Sequence, residues 1–125
     1  MPWLKRNAFN RKVQTMALIG LDHVQIAIPK GGEDEARAFY VDLLGLREVP
    51  KPQQLSRNGC WFEGEGISLH IGIDPDFIPA RKAHPAFLVD DIDALRERLA
   101  RVGIATHDDT PIEGYERFFC GRYVW

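Results

Sequence analysis

The sequence predicts an α+β fold in which one strand–helix–strand–strand–strand unit, βαβββ, is used twice in tandem. Three observations carry that expectation. Apolar and β-branched residues alternate with period two over residues 21–28 and again over 67–73, as in strands buried on one face. Apolar residues recur at helical spacing over 36–44 and 92–102. The same landmarks then return about 60 residues on: Gly45 and Leu46 as Gly103 and Ile104, Trp61 and Phe62 as Phe118 and Phe119, His23 as His84.

A chain of 125 residues is one domain with room for a real core. Its 45% apolar and 27% charged content is that of an ordinary soluble protein. A net charge of −2 gives no electrostatic case for nucleic acid or an anionic membrane surface as partner. No apolar run approaches the roughly 20 residues of a membrane helix. Cys60 and Cys120 form no CxxC, and two cysteines in a chain this size point to reduced thiols in the cytoplasm. Residues 1–19 carry Lys5, Arg6, Arg11 and Lys12, no acid and no secretory core. They read as an extension outside the core, in preference to a transit peptide, and Met16 could serve as an internal start. The domain is expected over 20–125: unit one about 20–74, a linker at 75–82, and unit two at 83–125.

Each element follows from local chemistry. In the first strand Leu21, His23, Gln25 and Ala27 share one face. Asp22, Val24, Ile26 and Ile28 share the other, greasier face, which should pack on a helix. Residues 29–32 make a turn. Glu33, Asp34 and Glu35 open a helix, with acids where the macrodipole favours them. Ala36, Phe39, Tyr40, Leu43 and Leu44 form its apolar stripe, and Gly45 suits its C-terminal cap. Residues 46–49 begin a strand that Pro50 and Pro52 end or leave on an edge. Residues 60–63 and 67–73 are strands around a turn at 64–66. Residues 74–82, with Pro75, Pro79, Arg81 and Lys82, read as linker.

The order then repeats. Residues 84–89 form a strand. Asp90 or Asp91 caps a helix whose apolar face is Ile92, Leu95, Leu99 and Val102, with Arg96, Arg98 and Arg101 in its C-terminal half and Gly103 ending it. Residues 104–107 and 115–120 are further strands. The counterpart of His70 would fall just past Trp125, so the second unit is expected to stop before its fourth strand is complete.

Histidines mark the chemistry. One strand histidine alone is ordinarily a satisfied core residue. Here His23 and His70 lie on the less apolar faces of two strands, and His84 opens a third. Converging neutral imidazoles can hold a divalent metal with an open position for water or substrate. A metal so placed would polarise two neighbouring oxygens of a substrate. Proton transfer would still need a base. Glu63, Glu65, Glu113 and Glu116 are the nearby acids, with Glu116 the weak candidate and a solvent-facing strand position its plainer reading. Gln25, Trp61 and Phe118 are candidate pocket residues, although Trp61, Phe62, Phe118 and Phe119 read equally as core. The two cysteines read as small buried residues, His107 as exposed, and Arg117 and Arg122 as solvated.

Five stretches carry a family resemblance: 21–24, containing Asp22 and His23; 36–40 with Leu44, Gly45 and Leu46; 59–62; 69–72; and 83–87. Over roughly residues 20–120 the chain resembles the vicinal oxygen chelate superfamily, which holds glyoxalase I, fosfomycin-resistance proteins, extradiol dioxygenases and bleomycin-resistance proteins. It is similar above all to small bacterial glyoxalase-family proteins. The resemblance implies that each unit curls into a half-barrel, with a divalent metal (zinc, nickel, iron or manganese) in the cleft between the halves. It implies His23 and His84 as first-strand ligands, and His70 as the fourth-strand ligand that glyoxalase I-like members use. The family's last ligand is a glutamate after an Asp-Pro-Phe-Gly-Asn-Arg-like turn. This chain has no such turn and reads Gly121, Arg122, Tyr123, Val124, Trp125.

Two function classes follow. One is a metal-dependent enzyme of lyase or dioxygenase type acting on a small oxygen-chelating substrate. The other is a metal-independent, drug-sequestering binding protein, or a truncated member without activity. A homodimer is expected, with residues 121–125, or Trp3 and Leu4, covering an exposed sheet edge.

Overall fold

The computed structural model describes residues 3, 4 and 17–120. Alternation over the first strand, β1 (Val24–Ile28), buries Ile26 and Ile28 and leaves Gln25 and Ala27 exposed. Gly32 precedes α1 (Glu33–Arg37), whose first turn holds the three acids. The chain then widens into a π-helical segment, Ala38–Leu43, where the Leu44 N–H donates to the Phe39 carbonyl five residues back at 3.0 Å. The single regular helix expected over this stretch is therefore two kinds of helix. The wider turn still points Phe39 and Tyr40 into the core beside Ala36.

Strands β2 (Arg47–Val49), β3 (Cys60–Gly64) and β4 (Ile67–Ile73) complete a four-stranded sheet in the order β1-β4-β3-β2. β1 runs parallel to β4, and the other pairs are antiparallel. The helical layer covers one face. There Ile28, Phe62 and Leu69 are 0% exposed, and each such side chain contributes about 1.5–3 kcal/mol by burial. Arg37 ties the helix to the sheet edge through both carboxylate oxygens of Glu48, at 2.9 and 3.1 Å, and bonds Asp34 of its own helix at 2.9 Å. Burial pushes the Tyr40 phenol up to about 12, and burial also raises the thiols of Cys60 and Cys120.

The second half is thinner than the repeat implies. Helix α2 (Ile92–Arg101) forms as expected, with the Asp91 carboxylate accepting from the Ala94 N–H at 2.9 Å. Leu99 and Ile104 enter the same core as Ile26 and Ile28, so the two units share one hydrophobic cluster. Strands shrink to β5 (Thr106–His107) and β6 (Phe119–Cys120), paired only with each other. The strand expected at 84–89 does not form. These residues run without strand pairing and expose Phe87, Leu88 and Val89, Leu88 by 99%. A strand needs a neighbour to bond, and no described strand of the chain lies beside this one; Pro85 also lacks an N–H to donate. Among the described residues, the first unit thus forms a four-stranded sheet and the second a helix with a two-stranded ribbon. The tail at 121–125, with Tyr123, Val124 and Trp125, lies outside the described residues.

Candidate functional site

Opposite the helices, the sheet presents a polar face that remains open. Register builds it. Gln25 of β1 lies beside His70 of β4, His70 opposite Trp61 of β3, and Trp61 opposite Val49 of β2. Ser68 and Glu63 form the next row, where Arg47 pairs with Glu63 at 3.2 Å. Gly72 is bare for a reason: a Cβ there would lie 3.0 Å from the Gln25 Nε2, so the glycine gives Gln25 its place.

The rings on this face form a column. Trp61 stacks on His70 with centroids 3.7 Å apart and planes 4° from parallel. His70 stacks in turn on His23, 4.0 Å away at 19°. Trp3 meets the edge of His23 at 6.2 Å, although Trp3 and Leu4 are largely exposed. Cross-strand aromatic pairs of this kind contribute about 0.5–1.5 kcal/mol beyond their burial. Sequence reasoning gave Trp61 as a core or pocket-wall residue. The directly paired register of Trp61 and His70 was the signal for stacking that it did not use.

Asp22 was expected on the opposite face from His23. Instead its carboxylate lies 2.7 Å from the His23 Nδ1. β1 begins only at Val24, so strand alternation does not bind residues 22 and 23. A carboxylate only accepts, so in the neutral imidazole the proton sits on Nδ1 and the lone pair on Nε2. His84 shows the same arrangement by other means. Its Nδ1 lies 2.7 Å from the Lys82 carbonyl oxygen, which again fixes the proton on Nδ1 and leaves Nε2 as donor to an ion. Histidines that ligate metals are held in this way by a carboxylate or a carbonyl on the far nitrogen.

The donor set therefore fits a divalent ion at His23 and His84 by its chemistry, one histidine at a time. His70 fits less well. Imidazole lone pairs lie in the ring plane, and the stacked rings of His23 and His70 direct theirs along nearly parallel planes rather than toward one point. Among the described residues, no three His, Cys, Asp or Glu side chains come together as a metal-holding group. His84 is exposed and lies edge-on to Phe119 at 5.7 Å.

The remaining candidates lie elsewhere. Glu116 is exposed and lines a shallow cavity of about 380 Å³ with Arg96, Asp108, Asp109 and Arg117, which contains none of the histidines. Its place as a base beside them is not met. Phe118 packs against the core beneath Arg96, whose Cζ lies 4.6 Å from the ring centroid. It belongs to no strand of the four-stranded sheet, so it does not join the row of Gln25, His70 and Trp61. His107 is exposed, as expected, and Arg117 pairs with Asp109 at 3.4 Å. Arg122 lies outside the described residues.

Comparison with known proteins gives the following. No family model matches the chain. A glyoxalase family protein from Bacillus anthracis is 42% identical to it; the match covers 89% of this chain and 92% of that one, with a TM-score of 0.80. Glyoxylase I 4 of Arabidopsis thaliana is 27% identical over 95 residues, 70% of this chain, and the chain spans about half (53%) of that protein. The fosfomycin resistance protein FosX from Listeria monocytogenes shares the fold at 18% identity. A variant of it, complexed with Mn(II) and 1S,2S-dihydroxypropylphosphonic acid, matches over 82% of this chain and 85% of its own with a TM-score of 0.65.

Proposed function

Since this chain belongs to the glyoxalase family of the vicinal oxygen chelate superfamily, we propose that it binds a divalent metal through the Nε2 atoms of His23 and His84 and holds a small substrate by two adjacent oxygens. The observation that carries this reading is the matched pair of Nδ1 anchors, Asp22 on His23 and the Lys82 carbonyl on His84. When bound, such an ion supplies Lewis-acid stabilisation of oxygen-centred negative charge. The protein's own part is to orient the substrate against Gln25 and the ring column on the open sheet face. Lyase-type or dioxygenase-type turnover is the proposed chemistry, in the cytoplasm.

The proposed assembly is a homodimer. β1 is an edge of its sheet among the described residues, and the 84–89 segment is largely apolar and without a strand partner among them. A second copy would supply the missing neighbour and cover the polar face.

A titration of the purified protein with Mn(II) or Co(II), followed by calorimetry, tests the metal. One ion per chain is expected, with uptake lost in both His23→Ala and His84→Ala. A second reading is a metal-independent small-molecule binder, favoured by the lack of a three-donor group among the described residues. Binding of a vicinal diol or hydroxy acid with the same affinity in chelator-treated protein and in His84→Ala would replace the first reading by the second.

A further inference from the structure

Trp61, His70 and His23 stand face to face in one stack on the open side of the sheet, with successive centroids 3.7 and 4.0 Å apart. Direct pairing of Trp61 with His70 across β3 and β4 anchors the stack in the fold. His70 takes one face of His23. The series does not continue on the other: Trp3, 6.2 Å away, is turned 78° to His23 and does not lie flat on it. Trp3 is also 79% exposed, so little packing holds it where it is. From this we infer that a flat aromatic ring of a small-molecule ligand takes the next position in the stack, on His23, with Trp3 turning to cover it. The inference rests on the reading of the open sheet face as the substrate site, and it names the substrate class: a planar ring bearing oxygen substituents.

His23 is prepared for such a contact. The Asp22 carboxylate on Nδ1 keeps the imidazole from turning, so its face holds one direction. Its side chain still keeps 18% of its surface open. A flat ring laid on that face touches it with every ring atom, whereas a puckered ring touches it with a few hydrogens and forgoes most of the dispersion contact. The polar groups of the ligand have a partner as well. Gln25 projects from the same sheet face, exposed and with its amide given room by Gly72, and that amide can both donate to and accept from ring oxygens.

Salicylamide and its saturated counterpart, cis-2-hydroxycyclohexanecarboxamide, separate flatness from polarity. Both are neutral and carry the same polar groups. Calorimetry on chelator-treated protein keeps metal out of the comparison. Salicylamide should bind about 10-fold more tightly, and its ring protons should shift upfield in NMR spectra of the complex. His23→Phe, which keeps a flat face and loses the lone pair, should preserve this preference, and His23→Ala should abolish it. Trp3→Ala, at an exposed position outside the core, should weaken salicylamide by about 3-fold and leave the saturated compound unchanged. Equal affinity for the two compounds, a preference that survives His23→Ala, equal losses in the Phe and Ala variants, or no effect of Trp3→Ala would overturn the inference. Gln25→Ala tells its failure from failure of the site. Equal affinities that both fall in Gln25→Ala leave the open face as the site and remove only the stacked ring. Binding of neither compound, or binding indifferent to Gln25 and His23, overturns both.

Discussion

The Asp22 carboxylate lies 2.7 Å from the Nδ1 of His23, and that bond decides which nitrogen the site can use. Removing it leaves the imidazole free to carry its proton on Nε2, which then offers no lone pair. Asp22→Ala is expected to lower Mn(II) or Co(II) affinity by about 10- to 100-fold without abolishing it. Asp22→Asn should fall between, because an amide oxygen can still accept from Nδ1. Calorimetric affinities in the order wild type, Asn, Ala check the prediction, and equal affinities would remove Asp22 from the site.

Tyr40 makes stability depend on alkaline pH. It is 2% exposed, and burial raises its phenol from 10.0 to about 12. The unfolded chain therefore loses this proton first as the pH rises. The stability tied to the neutral phenol is complete below pH 10 and is lost as the pH climbs toward about 12, by about 2–3 kcal/mol in full. Denaturant melts at successive pH values should show this fall in the wild type. In Tyr40→Phe the fall should shrink to the part due to the buried thiols of Cys60 and Cys120, whose raised pKa acts in the same direction.

The first unit was legible because its signals are local. Alternation over 24–28 and 67–73, acids at 33–35 and glycines at turns each act through neighbours in sequence. The π-helical turn at Ala38–Leu43 was not legible, because Phe39 and Tyr40 share an apolar stripe in either kind of helix. The 84–89 stretch has the composition of a strand and no partner to make it one, and a pairing partner is not a property of the stretch itself. Of the site, strand alternation put His23 and His70 on the less apolar faces of their strands, the family resemblance implied a shared role, and the two rings stack. That they meet face to face depends on side-chain rotation, which no pattern of residues records. The separate two-stranded ribbon of β5 and β6 is a pairing that the sixty-residue correspondence did not anticipate.

Two glycines with similar backbones should respond very differently to a methyl group. Gly59 has φ +81° and Gly66 has φ +68°, both in the left-handed region. At Gly66 the added Cβ meets open space, so Gly66→Ala should cost only the backbone term, about 1 kcal/mol. At Gly59 the Cβ would lie 2.2 Å from the Ile71 carbonyl oxygen, inside the β3–β4 ladder. Gly59→Ala should cost about 3 kcal/mol or more, since strand must move away from strand. The same movement slides Trp61 past His70, so Gly59→Ala should also disturb Trp61 fluorescence while Gly66→Ala leaves it alone. Chemical denaturation of both variants side by side is the measurement, and equal losses would contradict it.

Leu88 is 99% exposed on an extended stretch that also exposes Phe87 and Val89. Exposed apolar residues are common singly; three in succession without a strand partner among the described residues are what the proposed subunit contact would cover. The same chain offers a matching deficit in β1, an edge strand with a row of unpaired backbone groups. Burying Leu88 alone would contribute about 1.5–3 kcal/mol per chain, and two-fold symmetry doubles the return. Light scattering should accordingly give about twice the 14.2 kDa mass of one chain, with a melting temperature that rises with concentration. Leu88→Glu places a charge in that contact and should yield a monomer. Leu88 touches none of the core that holds Ile28, Phe62 and Leu69, so the variant should keep the secondary structure of the wild type by circular dichroism. It should also lose metal affinity if the partner copy is what brings His84 within reach of His23. A wild-type chain that stays monomeric at high micromolar concentration would refute the assembly.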